Sequence, residues 1–193
     1  TEMRKVNFHS IKSFFKSIMS YSEVLALGVS LYRFNIAYKK GLIHKEVDFS
    51  HLPQSNISET DTKKTIDRQS PYLSNYQKRI EKIIKICDSA FITPVFLTQP
   101  SLYGDYMDST THVAMANCKI SEEDYNARTM GMVLEKYNDV VRDLCKEKNI
   151  AMVDLSAKMP KDSKYYYDFI HYTNEGAKKV ASIISSQLKD ILK

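Results

Sequence analysis

The sequence predicts an α/β fold, a doubly wound parallel sheet with helices on its faces, and three observations carry that reading. Two apolar runs, Phe91 to Thr98 and Ile150 to Asp154, have the length of strands. The first is rich in β-branched and aromatic residues without alternation, as expected of a strand covered on both faces. Between them lies a helical pattern through Met132, Val133, Tyr137, Val140, Val141 and Leu144. Strand, helix and strand make a βαβ unit, which crosses over right-handedly and pairs its strands in parallel. The third observation is a last run, Ala177, Val180, Ala181, Ile184, Leu188 and Ile191, spaced by threes and fours. It predicts a helix that buries one face.

The other elements follow in order. Residues 6–19 read as a short helix with Phe8, Ile11, Phe14, Phe15 and Ile18 on one side. Ser20-x-x-Glu23 is a capping box for the next helix, which runs through Leu25, Leu31, Tyr32 and Ile36 until Gly41 stops it. Residues 42–69 are polar, and their composition predicts an insertion or a mobile surface segment. Ser70-Pro71 opens a strong helix, with serine as N-cap and proline first, whose face is Tyr76, Ile80, Ile83, Ile84 and Cys87. Pro94 cannot donate to a ladder, so it predicts an edge or a bulge in the first strand. The loop from Gln99 to Ile120 is long and rich in Tyr, Met, Asp and Thr. Ser121-x-x-Asp124 reads as the cap of the helix that follows it.

Composition limits the function classes. With 193 residues, 43% of them hydrophobic and 26% charged, the chain reads as one globular domain over 1–193. Its apolar stretches are far shorter than the roughly 20 residues that span a bilayer. The net charge of +5 comes from lysines that alternate with acids, which argues against a nucleic-acid partner. Cys87, Cys118 and Cys145 form no Cys-x-x-Cys pair. Cys87 and Cys145 fall on apolar helical positions and read as buried thiols, and Cys118, in a loop, as the accessible one. His9, His44, His51 and His112 lack metal-ligand spacing, so no metal centre and no cofactor are expected.

The densest chemistry lies in Asp168-Phe169-Ile170-His171-Tyr172-Thr173-Asn174-Glu175-Gly176. A carboxylate and an imidazole stand three residues apart, just before the last helix, with Thr173 as its cap and Glu175 at the positive end of its dipole. In open α/β sheets reactive groups gather beyond the carboxyl ends of strands. That places Gln99, Pro100 and the following loop on the same edge, as a substrate cleft.

These residues resemble the C-terminal block of the SGNH, or GDSL-type, ester hydrolases: Asp-x-x-His, a Thr two residues on, a Gly and the last helix. Phe91–Pro100, ending in Thr98-Gln99-Pro100, is similar to the strand before the substrate loop in many members. The resemblance covers roughly residues 70–193. It implies a flavodoxin-like doubly wound sheet lacking its N-terminal strands, with His171 as general base and Asp168 orienting it. Gln99 and Pro100 would face the substrate, an acyl or acetyl ester such as an O-acetylated carbohydrate. The family's Gly-Asp-Ser and Gly-x-Asn-Asp motifs do not occur here; Gly104-Asp105-Tyr106 lacks the serine and reads as a turn. The nucleophile and oxyanion donors are therefore expected outside this chain, in an N-terminal half or another chain. The alternative is a non-catalytic, SGNH-derived glycan-binding or truncated module. The compartment stays open, with an extracytoplasmic location or anchorage through an upstream segment among the options.

Overall fold

In a computed structural model of the chain, the described residues are 23–39, 46–120 and 125–191. The chain divides into two units, Thr1–Lys45 and Glu46–Lys193. The fold is mixed α/β, mostly helical, with a small parallel sheet of two strands. The expected helix over 6–19, Ser20 of the first capping box, and Ser121 and Asp124 lie outside the described residues. Within the first unit the described element is α1, Glu23–Lys39.

The second unit runs α2 (Glu59–Asp67), α3 (Ser70–Ser89), β1 (Phe96–Leu97), α4 (Ala127–Glu147), β2 (Met152–Val153), α5 (Leu155–Lys158) and α6 (Asn174–Ile191). Single 3-10 turns stand at Phe49–His51 and Ser163–Tyr165. The strands pair in parallel, Phe96 opposite Met152 and Leu97 opposite Val153, as the βαβ reading expects. They are shorter than the apolar runs that announced them. After α3, Phe91 adopts a left-handed φ of 55° and is 97% exposed. The chain turns back through 92–95, and the ladder starts only after Pro94, which has no N–H to give it. Asn149, also left-handed at φ 52°, does the same work between α4 and β2. Asp154 leaves β2 to cap α5, accepting from Ala157 N–H at 3.3 Å.

On one face of the sheet, Phe96 and Met152 pack against Ile80 and Ile84 of α3 and Val141, Leu144 and Cys145 of α4. A second core joins Phe49, Leu102, Met115, Cys118, Tyr166 and Phe169. The polar stretch expected as an insertion or mobile segment is folded over its described part. Asp48 and Ser58 cap its two helical turns, and Phe49 and Thr62 are buried. Its few apolar residues suffice because they plug into a core built by other segments. The 99–120 loop also supplies core, since Leu102 and Met115 are wholly buried. Cys118 is buried within it and Cys87 only half so, the reverse of the accessibility expected. Ser70 is the first residue of α3 rather than its cap; Gln69 takes that position without a side-chain bond. The cap of α4 is Asn126, which accepts from Thr129 N–H at 2.9 Å.

Candidate functional site

The 166–172 segment closes on itself. Tyr166 bridges Tyr172 in antiparallel fashion, and Tyr167 N–H donates to His171 C=O at 3.0 Å. Inside the loop Asp168 is used twice. Its Oδ1 accepts from the N–H groups of Ile170 (2.8 Å) and His171 (2.7 Å). Its Oδ2 meets His171 Nδ1 at 2.7 Å. Burial raises the Asp168 pKa, but those two backbone donors and the imidazole outweigh it and hold the carboxyl below its ordinary value. The His171 ring is stacked on Tyr167, 5.5 Å between centroids and 13° from parallel.

The mounting of this loop is rigid for identifiable reasons. Thr173 caps α6 by accepting from Gly176 N–H at 3.1 Å, while its own hydroxyl donates to Lys164 C=O at 2.8 Å. Gly176 is required there: a Cβ would stand 1.9 Å from Tyr165 C=O. From the other side, Leu102 N–H donates to Phe169 C=O and Val47 N–H to Tyr167 C=O, both at 2.7 Å.

The Leu102 bond lays the stretch after β1 beside the Asp168 loop. A cavity of about 570 Å³ results, lined by Gln99, Tyr103, Leu134, Ile170, His171 and Tyr172. Gln99 is fixed by the buried Asn138 of α4, whose side chain accepts from Gln99 N–H (2.8 Å) and donates to Gln99 C=O (3.0 Å). The structure therefore brings Asp168, His171 and Gln99 together. Pro100 is buried and does not line this cavity; its carbonyl accepts from the Gln99 amide at 3.0 Å. Tyr103 stacks on Phe169, and burial together with the Asp168 charge pushes its hydroxyl pKa up.

A second cavity, about 580 Å³, opens on the far side of Tyr103. Its polar wall was not singled out in the sequence. Arg142 of α4 donates to Asp154 (2.9 and 3.0 Å), Glu135 (2.8 Å) and Asp139 (2.9 Å), while Ser156 donates to Glu135 at 2.6 Å. Thr98, just after β1, donates to Asp154 at 2.8 Å and accepts from Ser156 N–H at 2.8 Å. The network ties the carboxyl ends of both strands to α4. Its sequence signal was Asp154, a charge ending an apolar strand. Burial raises the Glu135 pKa, yet bonds from Ser156, Arg142 and Asn138 hold it below the ordinary range.

A buried carboxylate fixes the 101–120 loop to the turn at Ser163–Tyr165. Asp108 is wholly buried and accepts four bonds, from Thr111 N–H (2.8 Å), Thr111 hydroxyl (2.6 Å), Ser163 N–H (2.7 Å) and Ser163 hydroxyl (2.7 Å). Lys161 donates to the carbonyls of Ser101 and Tyr103. Among the described residues no group of three or more His, Cys, Asp or Glu is placed to hold a metal ion. Compared with protein-family models, curated proteins and solved structures, the chain matches none of them.

Proposed function

We propose that this chain is the carboxyl-terminal part of a serine ester hydrolase of SGNH type, with His171 as general base and Asp168 as the group that orients it. The observation that carries the reading is the 2.7 Å contact between Asp168 Oδ2 and His171 Nδ1 at the wall of an open cavity. With Nδ1 engaged by a carboxylate, Nε2 is the nitrogen that takes a proton from a serine hydroxyl and returns it to the leaving alcohol. Asp168 fixes the tautomer and stabilises the imidazolium between those steps. Water activated by the same imidazole then clears the acyl-enzyme. The substrate is an acyl or acetyl ester, an O-acetylated carbohydrate being the form we favour, and no cofactor takes part.

The serine and the oxyanion donors come, in this reading, from residues outside the chain, and the two strands are part of a larger flavodoxin-like doubly wound sheet. Two features support it. Leu97 and Val153 point to the face of the sheet opposite α3 and α4. Val153 is buried there, but Leu97 remains 41% exposed. The expected apolar face of α6 is half open too: Ala177 and Ala181 are exposed, and Val180, Ile184 and Leu188 only half-buried. Further strands and helices would cover both.

The test joins this chain to the coding region that precedes it. A Gly-Asp-Ser motif in frame and hydrolysis of an aryl acetate are expected, with His171→Ala losing about 10²–10⁴-fold, the usual worth of a general base. The 193-residue chain alone should hydrolyse the same ester no faster than its His171→Ala variant. No upstream serine, together with binding of acetylated oligosaccharide, would assign the chain to a glycan-binding module instead. His171-dependent turnover by the isolated chain would overturn the half-domain reading.

A further inference from the structure

The charge of the chain is divided sharply between its two units. Residues 1–45 hold eight Lys and Arg against two Glu, a net of +6, whereas the remaining 148 residues hold 20 basic and 21 acidic, a net of −1. The whole cationic excess belongs to the first unit.

The described helix of that unit carries exposed apolar side chains. In α1, Leu27, Leu31 and Phe34 form one stripe at i, i+4 and i+7, each 60% exposed, and Tyr32 on another side is 67% exposed. An exposed apolar stripe of this kind marks a surface that a partner covers. Its 17 residues, rising about 1.5 Å each, reach about 25 Å, short of the roughly 30 Å hydrocarbon layer of a bilayer. Ser30, Arg33 and Asn35 interrupt its middle. No helix among the described residues is long and apolar enough to cross a membrane.

We propose that residues 1–45 dock this protein onto an anionic lipid surface, with α1 lying in the headgroup boundary. A partner must be negatively charged and apolar at once to satisfy both features, and a bilayer carrying acidic headgroups is. The arrangement has the composition of an interfacial anchor. Aromatic and aliphatic side chains enter the acyl boundary with the exposed Arg33 beside them, and the basic excess of residues 1–45 is drawn to the phosphates. Each basic residue held near such a surface strengthens partitioning by about fivefold. The near-neutral second unit contributes no comparable attraction.

The experiment is co-sedimentation of the 193-residue chain with vesicles of phosphatidylcholine alone, or of phosphatidylcholine mixed with phosphatidylglycerol. Esterase activity plays no part in the readout. Binding to the mixed vesicles at least about tenfold tighter than to the neutral ones is expected. It should weaken when salt rises from about 0.1 M to 1 M and the screening length falls from about 10 to 3 Å. Replacing Leu27, Leu31 and Phe34 together by serine should abolish it, while the thermal transition of the second unit stays in place. Equal partitioning to both vesicles, or binding indifferent to the triple substitution, would overturn the proposal. So would a dimer in sedimentation equilibrium that the same substitution returns to monomer, because the stripe would then belong to a second copy.

Discussion

Replacing Asp108 by Asn tests whether the 101–120 loop is held by a buried charge or merely by shape. The carboxylate accepts four bonds with none of its surface exposed. An amide can keep its carbonyl oxygen where Oδ2 accepts three of them, but its NH₂ then faces Ser163 N–H, donor to donor. Stranding that N–H costs about 1–3 kcal/mol, and the three remaining bonds fall from about 1.5–3 to about 0.5–1.5 kcal/mol each. Relief of the carboxylate's desolvation offsets part of this, leaving about 3 kcal/mol. For a chain of this size that is about 6–12 °C in Tm, read by circular dichroism. Burial raises the Asp108 pKa, but the Thr111 and Ser163 donors outweigh it and the folded value lies below the ordinary 3.8. The carboxylate's contribution is therefore fully present above pH 3.8 and lost as pH falls through the lower folded value. The gap between wild type and Asp108→Asn should be flat from about pH 7 to 5 and close below about pH 4. A gap under about 1 kcal/mol at pH 7, or one that persists undiminished into acid, would refute the argument.

Two further substitutions probe the frame around the site. Gly176→Ala should cost at least about 2 kcal/mol, because the new methyl meets Tyr165 C=O at 1.9 Å and the cap of α6 must move. Urea unfolding measures it, and a neutral result would show that the helix start yields freely. Tyr166→Phe should instead raise stability by about 1 kcal/mol, since the buried Tyr166 hydroxyl has no hydrogen-bond partner to lose. A lower Tm for that variant would mean the hydroxyl is satisfied after all.

How much of this was legible depends on the range of each interaction. Asp168 and His171 were readable because three residues of chain and one helix cap suffice to bring them together. Gln99 was readable because it ends an apolar strand. Pro100 is buried beside it, since adjacency to a strand end says nothing about which of two neighbours turns inward. The strands were overdrawn because Phe91 and Asn149 take left-handed conformations that glycine usually marks, so no punctuation showed where α3 and α4 release the chain. The Glu135, Arg142 and Ser156 network was hidden for a different reason. Charges three and seven apart on a helix look like a solvated face. Only the parallel pairing of β1 with β2 carries Thr98 and Asp154 to them. Cys118 is buried although it lies in a loop, because Met115 and Leu102 on the same loop supply core.

The double use of Asp168 lets structure and orientation be separated by experiment. Oδ1 holds the backbone of Ile170 and His171, and Oδ2 holds the imidazole. Asp168→Asn can keep a carbonyl oxygen for the two N–H groups while presenting NH₂ to Nδ1. The imidazole then accepts at Nδ1 and carries its proton on Nε2, the tautomer that cannot take a proton from a serine. Asp168→Ala removes both functions. The Asn variant should therefore unfold within about 1 kcal/mol of wild type, and the Ala variant about 1–3 kcal/mol below it. Nitrogen chemical shifts of the His171 ring, measurable in the 193-residue chain without any nucleophile, should show the tautomer reversed in Asp168→Asn. In the complete protein, both variants should lose turnover. A reversed tautomer with full activity would remove His171 from the reaction, whereas an unchanged tautomer would show that something other than Asp168 orients the ring.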